Sequence, residues 1–245
     1  MIRRRRDFLV VGATWVVLTI VGLVWVTTTE FNPIKASREA EIIDAGFDFL
    51  MLLSVPVFMF VVVVLVYAGF RFRAQDANTD GAGFRTNKRF ITIWVVVSSI
   101  LAVLVIIHPG LTGLAELQAE PHADFTVEVT ARQWAWTFDY TEQGVLLEEA
   151  DELVLPVNRR VRFLVTSEDV IHSFWIPGFR TKIDAVPGLT TEILTTPVME
   201  GTFRQDPNFR VQCAELCGTG HTRMRTDVIV VSEADFDSWI EGRRG

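Results

Sequence analysis

Three apolar runs lie before residue 110, and each approaches the length needed to cross a hydrocarbon core of about 30 Å. They extend from Phe8 to Val26, from about Phe47 to Phe70 and from about Phe90 to His108. Lipid offers the backbone no hydrogen-bond partners, so such runs are expected as helices. They also account for a mean hydropathy of +0.30 in a chain whose charged content, 22%, is ordinary.

The first run follows Arg3, Arg4, Arg5 and Arg6, and the polar loop FRAQDANTDGAGFRTNKR between the other two carries Arg73, Arg85, Lys88 and Arg89. Cation bias in short loops orients spans, holding basic segments in the cytoplasm. The expectation is a multi-pass protein of the cell membrane, with 29–44 and everything after His108 outside. The first run has two readings. A secretory signal peptide also begins basic and turns apolar, but this stretch exceeds an h-region of about 7 to 15 residues, and no A-x-A site precedes TTTEFNP. We therefore expect 1–28 as a retained third helix in preference to a signal peptide, 29–109 as a helical hairpin, 110–123 as a linker broken by Pro109, Gly110, Gly113 and Pro121, and 124–245 as a separate domain.

That last region reads as many short strands without intervening helices: DFTVEVTARQWAWTFDY, LVLPV, RVRFLVTS, SFWIPGF, TEILTTP, FRVQC and TDVIVVS, separated by turn residues. This pattern predicts an all-β sandwich or Greek-key barrel. SEADFDSWIEGRR predicts one closing helix capped by Ser232. From Gly110 onward, 12 Lys plus Arg face 22 Asp plus Glu. An acidic domain argues against nucleic acid as a partner and suits a basic protein, although solubility alone would also favour it.

The only two cysteines stand in CAELCGTGHTRM, Cys213 to Met224. Outside the cytoplasm a disulfide is permitted, but so small a loop gains little from cross-linking, and a disulfide has no use for Glu215, His221 and Met224 beside it. Zinc takes thiolate and imidazole without favouring thioether, whereas all three together form a copper ligand set. A single-copper electron-transfer site uses one cysteine; the second thiolate allows both sulfurs to bridge two coppers. A second imidazole is then needed, and SEDVIHSFW supplies His172.

With these motifs the chain resembles subunit II of the haem-copper respiratory oxidases, the cytochrome c oxidase type, from about Phe47 to its C-terminus through QWAW, SEDVIHSFWIP, KIDAVPG and CAELCGTGHTRM. The resemblance implies a membrane-anchored all-β protein whose transmembrane helices precede a cupredoxin-like Greek-key β-sandwich. It implies a binuclear copper centre with Cys213 and Cys217 as bridging thiolates, His172 and His221 as terminal imidazoles, Met224 as a weak ligand and Glu215 as a ligand through its carbonyl. It also implies that the Glu215 side chain faces a magnesium site shared with another chain.

By the same resemblance Trp134 receives the electron from an external cytochrome c or small copper protein, while Trp136 packs. The acidic residues Asp139, Glu142, Glu168 and Asp169 are expected to meet a basic donor, an arrangement that sets encounter rate more than affinity. Lys182 and Asp184 match the family segment beside the haem-bearing subunit I, though a turn at Pro187 and Gly188 needs polar residues too. The chain would thus be one subunit of an oxidoreductase that couples oxygen reduction to proton pumping, carrying electron transfer but not the oxygen chemistry.

Three departures stand out. Ile91 occupies the place of a family glutamate associated with proton uptake, Leu189 replaces a common arginine after DAVPG, and the first helix is extra. Two alternatives stay open. One is a copper-free quinol oxidase subunit with a docking role, which retention of all the ligands disfavours. The other is the copper subunit of a nitric oxide reductase, which this sequence separates poorly. No C-x-x-C-H occurs, so a donor cytochrome would be a separate protein.

Overall fold

A computed structural model describes residues 2–73 and 86–244. Most of the basic loop, including Arg85, and the side chains of Arg3 and Arg4 lie outside the described residues. The chain divides into a helical unit, 1–31 with 45–114, and a β unit, 32–44 with 115–245.

The helices are α1 (Ile2–Thr28), α2 (Arg38–Arg71), α3 (Lys88–Val105), a kinked π-helical segment (Ile106–Leu111) and α4 (Thr112–Leu117). Three stretches, Arg5–Thr28, Arg38–Arg71 and Lys88–Leu117, are long and apolar enough to cross a membrane. α2 starts at Arg38 instead of about residue 47. Ser37 Oγ accepts from Ala40 N–H at 3.0 Å, and Glu39 and Glu41 lie in the first turn, a capped start that an apolar window misses. Asn87 likewise caps α3, accepting from Phe90 N–H at 3.2 Å.

The kink falls at His108, whose φ of −137° and ψ of 120° are extended, as expected for a residue crowded by a following proline. The helix then resumes to Leu117, so the first half of the expected linker is helical. Pro109 is tolerated there because a first helical turn needs no N–H donor.

The β unit is a cupredoxin-like sandwich. One sheet has the order β3-β2-β1-β5-β8, built from β1 (Phe125–Arg132), β2 (Ala135–Tyr140), β3 (Val145–Leu147), β5 (Val161–Ser167) and β8 (Thr191–Thr195). The other runs β4-β11-β10-β6-β7, from β4 (Glu152–Pro156), β6 (His172–Ile176), β7 (Thr181–Ala185), β10 (Arg210–Cys213) and β11 (Arg225–Val231), with β9 (Gly201–Thr202) paired to β11. Alternation on β1 and β5 puts Val127, Val129, Phe163 and Val165 into the core between the sheets. The closing helix α5 (Glu233–Glu241) is capped by Ser232 as its sequence predicts, and inserts Phe236 and Ile240.

The β unit also takes in 32–44, which the sequence reading assigned to the membrane hairpin. Ala36 is fully buried and donates to Gly178 O at 2.9 Å. Glu39 pairs with Arg160 at 3.1 Å and accepts from Thr196 N–H at 2.8 Å. Asp44 takes both Nε and Nη2 of Arg180 at 2.8 Å, and the same guanidinium donates to Pro33 O and Ile34 O. No local signal announces these pairings, because the partners lie more than 100 residues apart.

Candidate metal centre

The elements around Cys213 show how the sequence builds this site. β10 ends at Cys213, β11 begins at Arg225, and the loop between them is pinched at its base by Cys213 N–H donating to Met224 O at 3.0 Å. β6 lies antiparallel on the other side of β10, with Phe174 opposite Cys213. That register brings His172, at the head of β6, to the thiol, and Ala214 N–H donates to Ser173 O at 3.0 Å to hold the loop against β6. Gly218, at φ +117°, turns the loop back in a conformation that side chains disfavour.

The two thiols sit in the middle of the set, their Sγ atoms 3.7 Å apart, and both cysteines are free and buried. Cys213 Sγ lies 3.8 Å from His172 Nδ1 and 3.2 Å from Glu215 O. Cys217 Sγ lies 3.7 Å from His221 Nδ1 and 3.8 Å from Met224 Sδ. His172 and Met224 are fully buried, while His221 is partly exposed. The structure thus brings together all six positions expected as ligands.

Asp169 orients His172, accepting at Oδ1 from Nε2 at 2.9 Å. Backbone N–H groups of Gln133 and Val170 also donate to its carboxylate, at 2.8 and 2.6 Å. Partial burial opposes ionisation, but the hydrogen bonds from His172 and the two amides outweigh it and hold the carboxyl down at about 2. An ionised partner on Nε2 leaves the lone pair on Nδ1, the nitrogen facing sulfur. Asp169 was expected at a donor surface; here its oxygens are committed to the site. Burial and the neighbouring Cys213 thiol push the Cys217 thiol up to about 12.

Trp134 stands over the loop, 40% exposed, with Nε1 donating to Cys217 O at 3.3 Å. Gln133 Nε2 donates to the same carbonyl at 2.6 Å, a contact the sequence reading did not foresee. The indole lies so close to Gly220 that a Cβ there would meet its Cδ2 at 2.3 Å. Trp136 is buried and packs edge-on to Phe174 at 5.8 Å between ring centroids.

Beside Trp134 is a depression lined by Arg132, Gln133, Glu149, Gly220 and Arg223, with Arg132 paired to Glu149. Its rim carries both signs, not an acidic ring. Asp139 opposes Glu128 at the other end of the β1–β2 ladder, and Glu142 lies in the β2–β3 turn. At about 3.3 Å per strand residue, Asp139 is roughly 16 Å along β2 from Trp134. Neither residue flanks the indole. Glu168 does sit at that end, donating its N–H to Ala131 O at 3.0 Å. The Glu215 side chain is exposed, and Lys182 and Asp184 project outward from β7 at the sheet edge.

The chemistry of the donor set discriminates between metal ions. A structural zinc takes four ligands in a closed tetrahedron, whereas here four further donors gather around two thiol sulfurs, six in all, and thioether suits copper. Two thiols each flanked by an imidazole fit a pair of coppers.

The family described as cytochrome c oxidase subunit II, periplasmic domain, matches residues 142–233. A probable cytochrome c oxidase subunit 2 of Rickettsia bellii is 32% identical over 93% of this chain and 92% of its own length. Cytochrome c oxidase subunit 2 of Cereibacter sphaeroides is 31% identical over 93% of this chain and 84% of its own. The crystal structure of the periplasmic domain of subunit II from Bradyrhizobium japonicum cytochrome oxidase is 35% identical, covers 51% of this chain and 96% of that one, and superposes with a TM-score of 0.46. Identity at this level across nearly the whole of two full-length relatives, helices as well as sandwich, places this chain in the cytochrome c oxidase subunit 2 family.

Proposed function

We propose that the β unit holds a binuclear copper centre through His172, Cys213, Cys217, His221, Met224 and the Glu215 carbonyl, and relays single electrons. The observation that carries this is the pair of buried thiols 3.7 Å apart, each with an imidazole nitrogen within 3.8 Å. A copper pair bound there supplies a one-electron carrier whose charge is shared over two metals. The chain's own residues do the rest. Asp169 fixes the His172 ring, the Cys213–Met224 clasp holds the loop closed, and the buried positions of both cysteines keep bulk water from the sulfurs. Ligands held this firmly from outside shift little when charge changes, which favours fast transfer.

Trp134 is the proposed point of contact with the donor, an external cytochrome c or a small copper protein, because its exposed ring is hydrogen-bonded to the Cys217 carbonyl. The acceptor is haem in subunit I, where oxygen is reduced and protons are pumped. Lys182 and Asp184, exposed on the edge strand β7, are proposed to face that subunit. The exposed Glu215 carboxylate contributes one oxygen to a magnesium site completed by another chain, since magnesium wants six oxygens and keeps waters. The basic residues flanking the spans support an extracytoplasmic β unit on a multi-pass chain of the cell membrane.

The deciding experiment is a copper count with an electron paramagnetic resonance spectrum on the full-length chain, purified in detergent without its partner subunits. Two coppers per chain sharing one unpaired electron, with hyperfine splitting from both nuclei, are expected. No copper, or one isolated copper, would return the chain to a docking role.

A further inference from the structure

The first span admits two fates, removal with a signal peptide or retention as a membrane helix, and the faces of α1 separate them. The residues of α1 that lose exposure within the helical unit include Asp7, Val11, Trp15, Thr19, Gly22 and Val26. Successive spacings of four, four, four, three and four put them on one face. The other side exposes Leu9, Val16, Val17, Ile20 and Val21, all aliphatic. The less exposed face thus holds Asp7, Thr19 and Gly22 among apolar residues, while the far face is mostly aliphatic. Helices that pack inside a bilayer have this distribution, whereas the h-region of a signal peptide needs only overall apolarity.

The covering partner is α2, and the contacts run the length of α1. Asp7 Oδ1 accepts from Tyr67 Oη at 2.7 Å and pairs with Arg71 Nε at 3.5 Å. Near mid-span, Trp15 Nε1 donates to Pro56 O at 2.8 Å, and its ring meets Phe60 edge-on at 5.8 Å between centroids. An indole N–H at that depth has no water to bond, so a carbonyl of a second helix is what makes tryptophan acceptable there. Toward the other end, Gly22 lies against Val55 and Met59, close enough that a Cβ would meet Val55 Cγ1 at 2.8 Å. Low residue numbers on α1 meet high ones on α2, so the two helices run antiparallel.

We infer that the first span is kept in the mature protein as a third transmembrane helix, held against α2 through this one face. The inference is independent of which metal the β unit carries. The first test is the intact mass of this subunit in oxidase purified from its native membranes. A mass near 27.7 kDa is expected; a chain lacking α1 overturns the inference. The second test fixes the face. Gly22→Cys with Val55→Cys is expected to cross-link under mild oxidation in full-length chains recovered from membranes, and Val21→Cys with Val55→Cys is not, the linked peptides being identified by mass spectrometry. Equal linking of both pairs, or of neither, overturns it.

Discussion

Asp169 Oδ1 lies 2.9 Å from His172 Nε2, so a residue three positions away along the chain sets which ring nitrogen is free to face Cys213. Removing this support loosens the ligand without deleting it. Asp169→Ala is expected to weaken copper binding about 10- to 100-fold, read as copper lost to a chelator over time. Asp169→Asn, which keeps an acceptor oxygen, should lose much less.

Copper loading should strengthen as pH rises. Burial and the adjacent Cys213 thiol push Cys217 up to about 12, so the metal-free site is protonated at neutral pH. Its thiolate fraction grows about tenfold per pH unit below that value, and binding must release the proton. Titrations at a series of pH values between about 6 and 8 should show apparent affinity increasing and buffer-detected protons appearing. A pH-independent affinity would contradict this.

Cys213→Ser and Cys217→Ser should each abolish the shared-electron spectrum, because the two adjacent sulfurs link the His172 end of the donor set to the His221 end. Met224→Leu keeps the buried volume and removes only a weak donor. It is expected to retain two coppers with an altered hyperfine pattern. One serine variant with an unchanged spectrum would refute bridging.

Gly220 lies directly beneath the Trp134 ring, and a methyl there would need to occupy a point 2.3 Å from Cδ2. Gly220→Ala is therefore expected to displace the indole and slow reduction by a c-type cytochrome, as Trp134→Ala should, with copper content unchanged in both. Trp134→Phe, which keeps a ring but loses the Nε1–H bond to Cys217 O, should fall between them. Stopped-flow reduction of the assembled oxidase measures all three.

The Asp44–Arg180 pair has side chains only 2% and 11% exposed. Asp44→Ala leaves a guanidinium without its partner in a dry site and is expected to destabilise the β unit by about 3–5 kcal/mol. Replacing both residues by leucine should recover part of the loss. The measure is thermal unfolding followed by the near-ultraviolet signal of the β unit's tryptophans, of which Trp136 is buried. A fragment starting at His122 lacks Glu39 and Asp44 together and should unfold earlier than the full chain.

The sequence by itself determined the three apolar spans, the strand-rich domain and the capped final helix, each written in local periodicity. The candidate donors came from the thiol, imidazole and thioether chemistry of CAELCGTGHTRM, from His172 elsewhere, and from the resemblance to the oxidase subunit. What only the tertiary structure decided depends on residues far apart in sequence. The β6–β10 register delivers His172 to Cys213. The length of β2 carries Asp139 and Glu142 away from Trp134, and Asp169, one of four similar surface acids on paper, turns inward because His172, Gln133 and Val170 all donate to it. Residues 32–44 join the sandwich for the same reason. Arg160 is buried and the Arg180 side chain is only 11% exposed, a charge so enclosed requires a partner, and nothing local in the sequence says that Glu39 and Asp44 supply it.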